Sequence, residues 1–248
     1  MERGAPDENM NRRALVFICC SPDARTGVST TARLLTDYLL LQGAPVEGFD
    51  TDPHEPCYAD FFPSLVRIVD ASNVRGQISL FDRLLTPDQT PRIVDVWNRS
   101  YRRFFDTVRD IGFMEEAVGR GIDPVLLYHA DASETALAGA RDLVRSWPDL
   151  RFILVHNEGA AQLGPDAREI LAHYPGQGKF VIGELNGAVA KTLSDRALSF
   201  SDFLTAPPAS MSIVVRAALK AWILPIFTQF KSFELRLEME SSLFSGRP

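Results

Sequence analysis

Cysteine is scarce: three residues, Cys19, Cys20 and Cys57, in a chain of 248. That is too few for a disulfide framework. Two of the three fall within one apolar run, which points to a reduced, cytoplasmic setting. Their spacing makes no zinc site, and His54 and His156 stand without Cys or acidic partners at metal-ligand spacing. Positive charge is also short. Lys and Arg number 26 against 32 Asp and Glu, a net charge of −6, so no general electrostatic footprint for nucleic acid is present. No uninterrupted apolar run reaches the roughly 18–20 residues of a membrane-spanning helix. The seven-residue apolar run after Arg12 and Arg13 ends in Ser21-Pro22-Asp23 rather than at a cleavage site, so it reads as a strand and not a signal peptide. There is no internal repeat, no low-complexity segment, no nucleophile elbow, no catalytic Ser–His pair and no Rossmann glycine fingerprint.

What is present suits one large core: 46% of the residues are hydrophobic, enough for a single α/β domain. Apolar runs and amphipathic patterns alternate along the chain. Strands are expected over 14–20, 46–50, 65–69, 91–97, 124–128, 150–156 and 179–182. Between them the pattern predicts helices over 28–42, 76–85, 101–118, 134–146 and 166–173, the first ended by Gly43 and the fourth opened by Ser133 with Glu134. Residues 53–63 hold three prolines and read as loop. Continuous apolar strands separated by helices imply a mostly parallel sheet with helices on both faces. Residues 1–13 read as a disordered tail, 14–206 as the α/β domain and 207–248 as a C-terminal helical segment.

The chain is organised around Ala24-Arg25-Thr26-Gly27-Val28-Ser29-Thr30-Thr31, set between the first strand and the first helix. Strand, small-residue loop and helix together present backbone N–H groups and a positive helix end to an anion. Ligands of parallel sheets bind beyond the carboxyl ends of the strands. Thr31, Asp50, Asp52, Asp95 and Asn157 all fall at such ends. Each also has an ordinary reading: Arg25 as a solvated loop residue, Thr30 and Thr31 as helix caps, Asp50 and Asp52 as turn residues before Pro53, and Asn157 as the start of a loop.

These residues resemble the ParA/MinD family of P-loop ATPases, whose deviant phosphate loop reads Lys-Gly-Gly-Val-Gly-Lys-Thr-Thr. Gly27 and Val28 match it, and Thr31 takes the place of its Mg²⁺-ligating threonine. Arg25 stands for the signature lysine, Thr26 and Ser29 for glycines, and Thr30 for the phosphate-loop lysine. Asp50-Thr51-Asp52-Pro53 resembles the family's Asp-x-Asp-Pro, the form seen in its plasmid-transfer relatives. Asp95 matches the Asp of the second phosphate motif, although Val-Trp-Asn follows it where the family has Thr-Pro. Asn157 resembles the base-contacting Asn. The resemblance implies a P-loop three-layer sandwich binding ATP or ADP with Mg²⁺. It implies nucleotide contacts from Gly27, Val28, Ser29, Thr30, Thr31 and Asn157, and metal contacts from Thr31, Asp50 and Asp95. Asp52 and Arg25 take the catalytic places, and a homodimer and an unidentified protein partner are expected. With the lysine replaced, the expected function is a nucleotide-binding regulator or scaffold with slow or absent hydrolysis, in positioning, partitioning or plasmid transfer. One alternative is an interaction module that no longer binds nucleotide. Another is a small-molecule ligase or kinase of the dethiobiotin-synthetase type, whose loop reads Thr-Gly-Val-Gly-Lys-Thr.

Beyond Pro207-Pro208, Ser210 is expected to cap a long helix from Met211, which Pro225 should kink or divide. Ile226, Phe230, Phe233 and Leu237 then form one apolar stripe. Lys231 and Arg236 are offset by Glu234, Glu238 and Glu240. That mixture argues against a lipid surface and for packing on the sheet domain or a second copy.

Overall fold

Ala14–Cys20 form strand β1, and alternate residues enter two different cores. Val16, Ile18 and Cys20 lie on one face, Phe17 and Cys19 on the other, as the two-residue period of a strand demands. The structure is a computed structural model that describes residues 13–160, 163, 167–187, 189–190 and 198–245. The expected N-terminal tail, apart from Arg13, lies outside them.

The other strands are β2 (Glu47–Asp50), β3 (Val66–Ile68), β4 (Arg92–Asp95), β5 (Ile122–His129), β6 (Arg151–Asn157) and β7 (Gly178–Ile182). They form a seven-stranded sheet in the order β3-β2-β4-β1-β5-β6-β7. Every pairing is parallel. The α/β architecture expected from the alternating pattern is therefore the one observed, with β1 at the centre. Helices α1 (Val28–Leu41) and α2 (Cys57–Phe61) cover one face. Helices α3 (Val74–Leu84), α4 (Tyr101–Asp110), α5 (Phe113–Gly119) and α6 (Glu134–Ser146) cover the other. Helix α7 (Ala167–Ala172) follows β6, and helices α8 (Phe200–Thr205) and α9 (Ile213–Ser245) follow β7, on the α1 side.

Several expectations need correction. The helix predicted over 101–118 is two, because Gly112 adopts a left-handed φ of 60° that breaks it. The proline-rich stretch 53–63 contains α2, whose first amides are capped from a distance by Asp50. Helix α8 had no counterpart in the sequence reading. Its N-terminus is held by Asp37 of α1, whose carboxylate accepts from the Ser199 and Ser201 hydroxyls and from the backbone N–H groups of Phe200 and Ser201. Helix α9 begins at Ile213, with the Ser212 hydroxyl accepting from Val214 N–H, and it runs through Pro225 undivided. By length and composition its stretch Ile213–Glu240 is also long and apolar enough to cross a membrane, which a search for unbroken apolar runs did not register.

The apolar stripe of α9 is buried against the sheet: Ile226, Phe230, Phe233 and Leu237 belong to the same core as α1. Phe180 of β7 meets Phe230 and Phe233 edge-on, with ring centroids 5.2 and 5.7 Å apart. Tyr38 of α1 meets Phe230 at 5.7 Å. β7 is an outer strand, and the Gln229 amide answers its free edge. Its Nε2 donates to Val181 O at 2.9 Å and its Oε1 accepts from Val181 N at 2.8 Å. Phe230→Ala should cost about 3–5 kcal/mol in urea unfolding with the denaturant slope unchanged. A loss under about 1 kcal/mol would mean that the stripe is not a load on the core.

Candidate functional site

The connection from β1 leads towards β2 and β3, whereas that from β4 leads back across to β5. The strand order therefore reverses between β1 and β4, and a crevice opens beyond their carboxyl ends. A cleft of about 1040 Å³ occupies this position. Arg25, Gly27, Val28, Ser29, Thr30, Asp50, Asp52, Asp95 and Asn157 all line it. Thr31 alone among the singled-out residues does not, being fully buried behind the loop.

The β1–α1 loop reaches the helix through two left-handed residues, Arg25 with φ 62° and Gly27 with φ 90°. Arg25 is a non-glycine residue held in that region, a local strain that surrounding contacts must maintain. At Gly27 a side chain is excluded twice, by φ and because a Cβ would lie 2.0 Å from Asn157 Nδ2. Gly27 is also the N-cap of α1, and no side chain caps the first turn. The first helical bond is Thr31 N–H to Gly27 O at 3.0 Å. The preceding first-turn amides therefore face the cleft without an intrahelical partner. The loop is fastened below by His129, whose Nδ1–H donates to Thr26 O at 3.0 Å. Burial pushes the pKa of His129 down to about 4, so the ring is neutral. Among the described residues its Nε2 has no partner, nor have the buried hydroxyls of Thr26 and Thr31. The Ser133 hydroxyl, which caps α6, donates to Asp23 and ties the loop to that helix.

Opposite the loop stand three carboxylates. Asp50 Oδ2 accepts from Tyr58 N and Ala59 N at 2.9 and 3.1 Å, and its Oδ1 accepts from Asp52 N at 3.0 Å. Asp52 Oδ1 accepts from His54 N and Glu55 N. Both residues are thus partly engaged in building the turn and α2. Thr51 between them is structural: its hydroxyl donates to Asp95 O at 3.0 Å and accepts from Trp97 N at 2.8 Å, joining the loops after β2 and β4. Asp95 pairs in register with Asp50 on the neighbouring strand. Burial, then the charge of Asp50, raises the Asp95 carboxyl to about 7, and a hydrogen bond with Ser29 of the loop opposes the rise. Asp50 is raised as well, by burial foremost, against its backbone hydrogen bonds. Among the described residues no group of three or more His, Cys, Asp or Glu side chains stands ready to hold a metal alone.

The sequence reading missed Arg33, one helical turn beyond Thr30 on the same wall of the cleft. Its guanidinium carbon lies 3.0 Å from the centroid of Phe61 and 5.2 Å from that of Phe200. Burial lowers its pKa to about 10 against the opposing charge of Asp37, so it remains a cation at neutral pH. A test for cations at three- or four-residue steps from the replaced lysine position would have flagged it. Phe200 and Trp222, brought in by α8 and α9, also line the cleft and had no signal in the sequence.

No protein-family model and no curated protein matches this chain. Among solved structures, it is similar to a nucleotide-binding protein in complex with ADP from Archaeoglobus fulgidus. The TM-score is 0.45 at 13% identity, over 73% of this chain and 86% of that one. It is also similar to the signal recognition particle 54 kDa protein from Aeropyrum pernix K1 in complex with GDP. There the TM-score is 0.46 at 17% identity, over 90% of this chain and 50% of that one.

The raised Asp95 carboxyl has a measurable consequence. The unfolded chain releases this proton near pH 4 and the folded chain near 7, so between those values the folded state holds the extra proton. Stability then falls as pH rises, by up to about 1.4 kcal/mol per pH unit, and levels off above about 7. Asp95→Asn should remove that slope. Urea unfolding at a series of pH values should show the variant gaining on the wild type from pH 5 to 7 and holding a constant lead above it. A pH-independent difference would mean that Asp95 ionises normally.

Proposed function

We propose that this chain is a ParA/MinD-like P-loop protein that binds ADP or ATP with Mg²⁺ in the cleft beyond β1 and β4. On this reading it acts as a regulator or scaffold, with hydrolysis slow or absent. One observation carries the reading: an uncapped helix start, reached through a left-handed loop, faces a carboxylate cluster across a single cleft. An anion site beside a cation site is what a phosphate–metal pair requires. Thr31, with its unpartnered hydroxyl, and Asp95 would hold Mg²⁺, while Asp50 acts through its charge and by shaping α2. The metal's part would be to neutralise phosphate charge. Asn157, set against Gly27, closes the base-proximal side of the loop.

The same geometry argues for weak catalysis. Thr30 stands where a lysine would reach the phosphates, and losing one donor to developing charge commonly lowers turnover by about 10²–10³-fold. Asp52, the residue placed to position water, already gives one oxygen to two backbone amides. Arg25 is exposed and lines the cleft, and on the homodimer reading it would meet a second copy of the chain. A protein partner and a cytoplasmic setting belong to the same proposal.

Titration calorimetry of the full chain should show ADP and ATP–Mg²⁺ binding. At 100-fold excess over Kd the stabilisation is about 2.7 kcal/mol, a rise in Tm of roughly 5–10 °C for a chain of this size. Neither heat nor a Tm shift would reject the reading in favour of the interaction module. Phosphate release should stay at background, and Thr30→Lys alone should not restore it. Robust turnover by the wild type, abolished in Asp52→Ala, would make the protein a working ATPase instead.

A further inference from the structure

Arginine on the wall of a cleft normally has a carboxylate partner, because a desolvated charge without one is costly. Arg33 has none among the described residues, and its Nε makes no hydrogen bond. The natural candidate is Asp37, one turn further along α1. Both of its oxygens are already taken by the Ser199–Ser201 segment that opens α8. Asp37 therefore hydrogen-bonds the start of α8 rather than Arg33; its charge is felt by Arg33, but the Arg33 Nε is left without an acceptor among the described residues. Its plane is held instead by rings, Phe61 close on it and Phe200 further off. Stacking fixes a guanidinium by its faces and leaves its N–H edge available, an arrangement suited to phosphate oxygens.

Position decides what that edge meets. Thr30 occupies the place of the phosphate-loop lysine, and Arg33 follows it at three residues, so their side chains leave α1 on the same side. Both line the cleft. The other cations on its walls, Arg25 and Arg99, are exposed at the surface, where solvent weakens their pull on an anion. Asp23, Asp50, Asp52, Glu55 and Glu184 bring carboxylates to the same cleft, beside the raised carboxyl of Asp95. A phosphate chain entering it needs a counter-cation from the protein.

Resting on the nucleotide reading above, we propose that Arg33 supplies the phosphate-binding cation that the loop lacks. Its guanidinium, clamped by Phe61 and Phe200, grips the nucleotide's phosphate chain from the side of α1 where the lysine would stand. The test is calorimetric titration of the full-length wild type, Arg33→Gln and Arg33→Lys with ADP, adenosine and inorganic pyrophosphate, each variant first checked for an unchanged fold by circular dichroism. Arg33→Gln should weaken ADP and pyrophosphate by about 10- to 100-fold while leaving adenosine unchanged, and Arg33→Lys should keep part of the affinity. Equal ADP affinity in wild type and Arg33→Gln overturns the role of Arg33 and leaves the nucleotide reading standing. An equal loss for ADP and adenosine also overturns it, since that is the signature of a packing role. A wild type that binds pyrophosphate through Arg33 but neither ADP nor adenosine keeps the phosphate grip and rejects the nucleotide. A wild type that binds none of the three overturns both.

Discussion

The burial of β1 on both faces is the constraint from which the rest of this molecule follows. A strand flanked by β4 and β5 and covered above and below can make no compromise with water, so each of its side chains is apolar or small. Parallel neighbours require crossovers, and the crossovers place helices on both faces and every carboxyl end at one edge. The loop after β1 must then turn sharply from the sheet into α1, which is why Gly27 and Arg25 adopt left-handed conformations there. The cleft is a consequence of that geometry rather than an addition to it.

The two edges of the sheet treat buried charge differently. At the amino end, Glu47 and Arg92 sit in register on β2 and β4 and answer one another. Asp88 and the carbonyls of Thr86 and Thr90 complete the shell around the fully buried guanidinium. At the carboxyl end of the same two strands, Asp50 and Asp95 also sit in register, but both are acids. Among the described residues no arginine pairs with them, and burial, then the charge of Asp50, raises the Asp95 carboxyl to about 7. An edge that pairs its charges is built for stability, whereas the other sets two like charges side by side at the cleft.

The C-terminal helices finish the cleft as well as the core. The aromatic residues of α9 pack on Tyr38 and Phe180, and Trp222 donates to Gly183 O at 2.6 Å, fixing the segment after β7. Helix α8, anchored on Asp37, brings Phe200 over Arg33. One set of contacts therefore seals the sheet and sets a ring beside the Arg33 guanidinium on the wall of the cleft.

Much of this was legible in the chain itself. The alternation of apolar runs, the strand–loop–helix around Gly27, and the placement of Asp50, Asp52, Asp95 and Asn157 at strand ends all depend on local periodicity. Burial imposes that periodicity on every buried strand and helix, so the sequence by itself determined the sheet and the edge at which its chemistry gathers. What escaped it depended on distant partners. Helix α2 forms in a proline-rich stretch because Asp50, eight residues before its Tyr58, takes its first amides. Helix α8 has a local cap in Ser199, but a carboxylate 162 residues before Ser199 accepts from its other first-turn donors and fixes it in place. The same bonds engage the carboxylate one turn from Arg33, so the surroundings of Arg33 depend on contacts to which it is not a party. Pro225 stayed inside α9, where packing of the flanking aromatic stripe holds the helix together across the lost hydrogen bond. Periodicity records which side of an element is buried. Only the tertiary structure decides which donor meets which acceptor, because that choice is made between residues far apart in the chain.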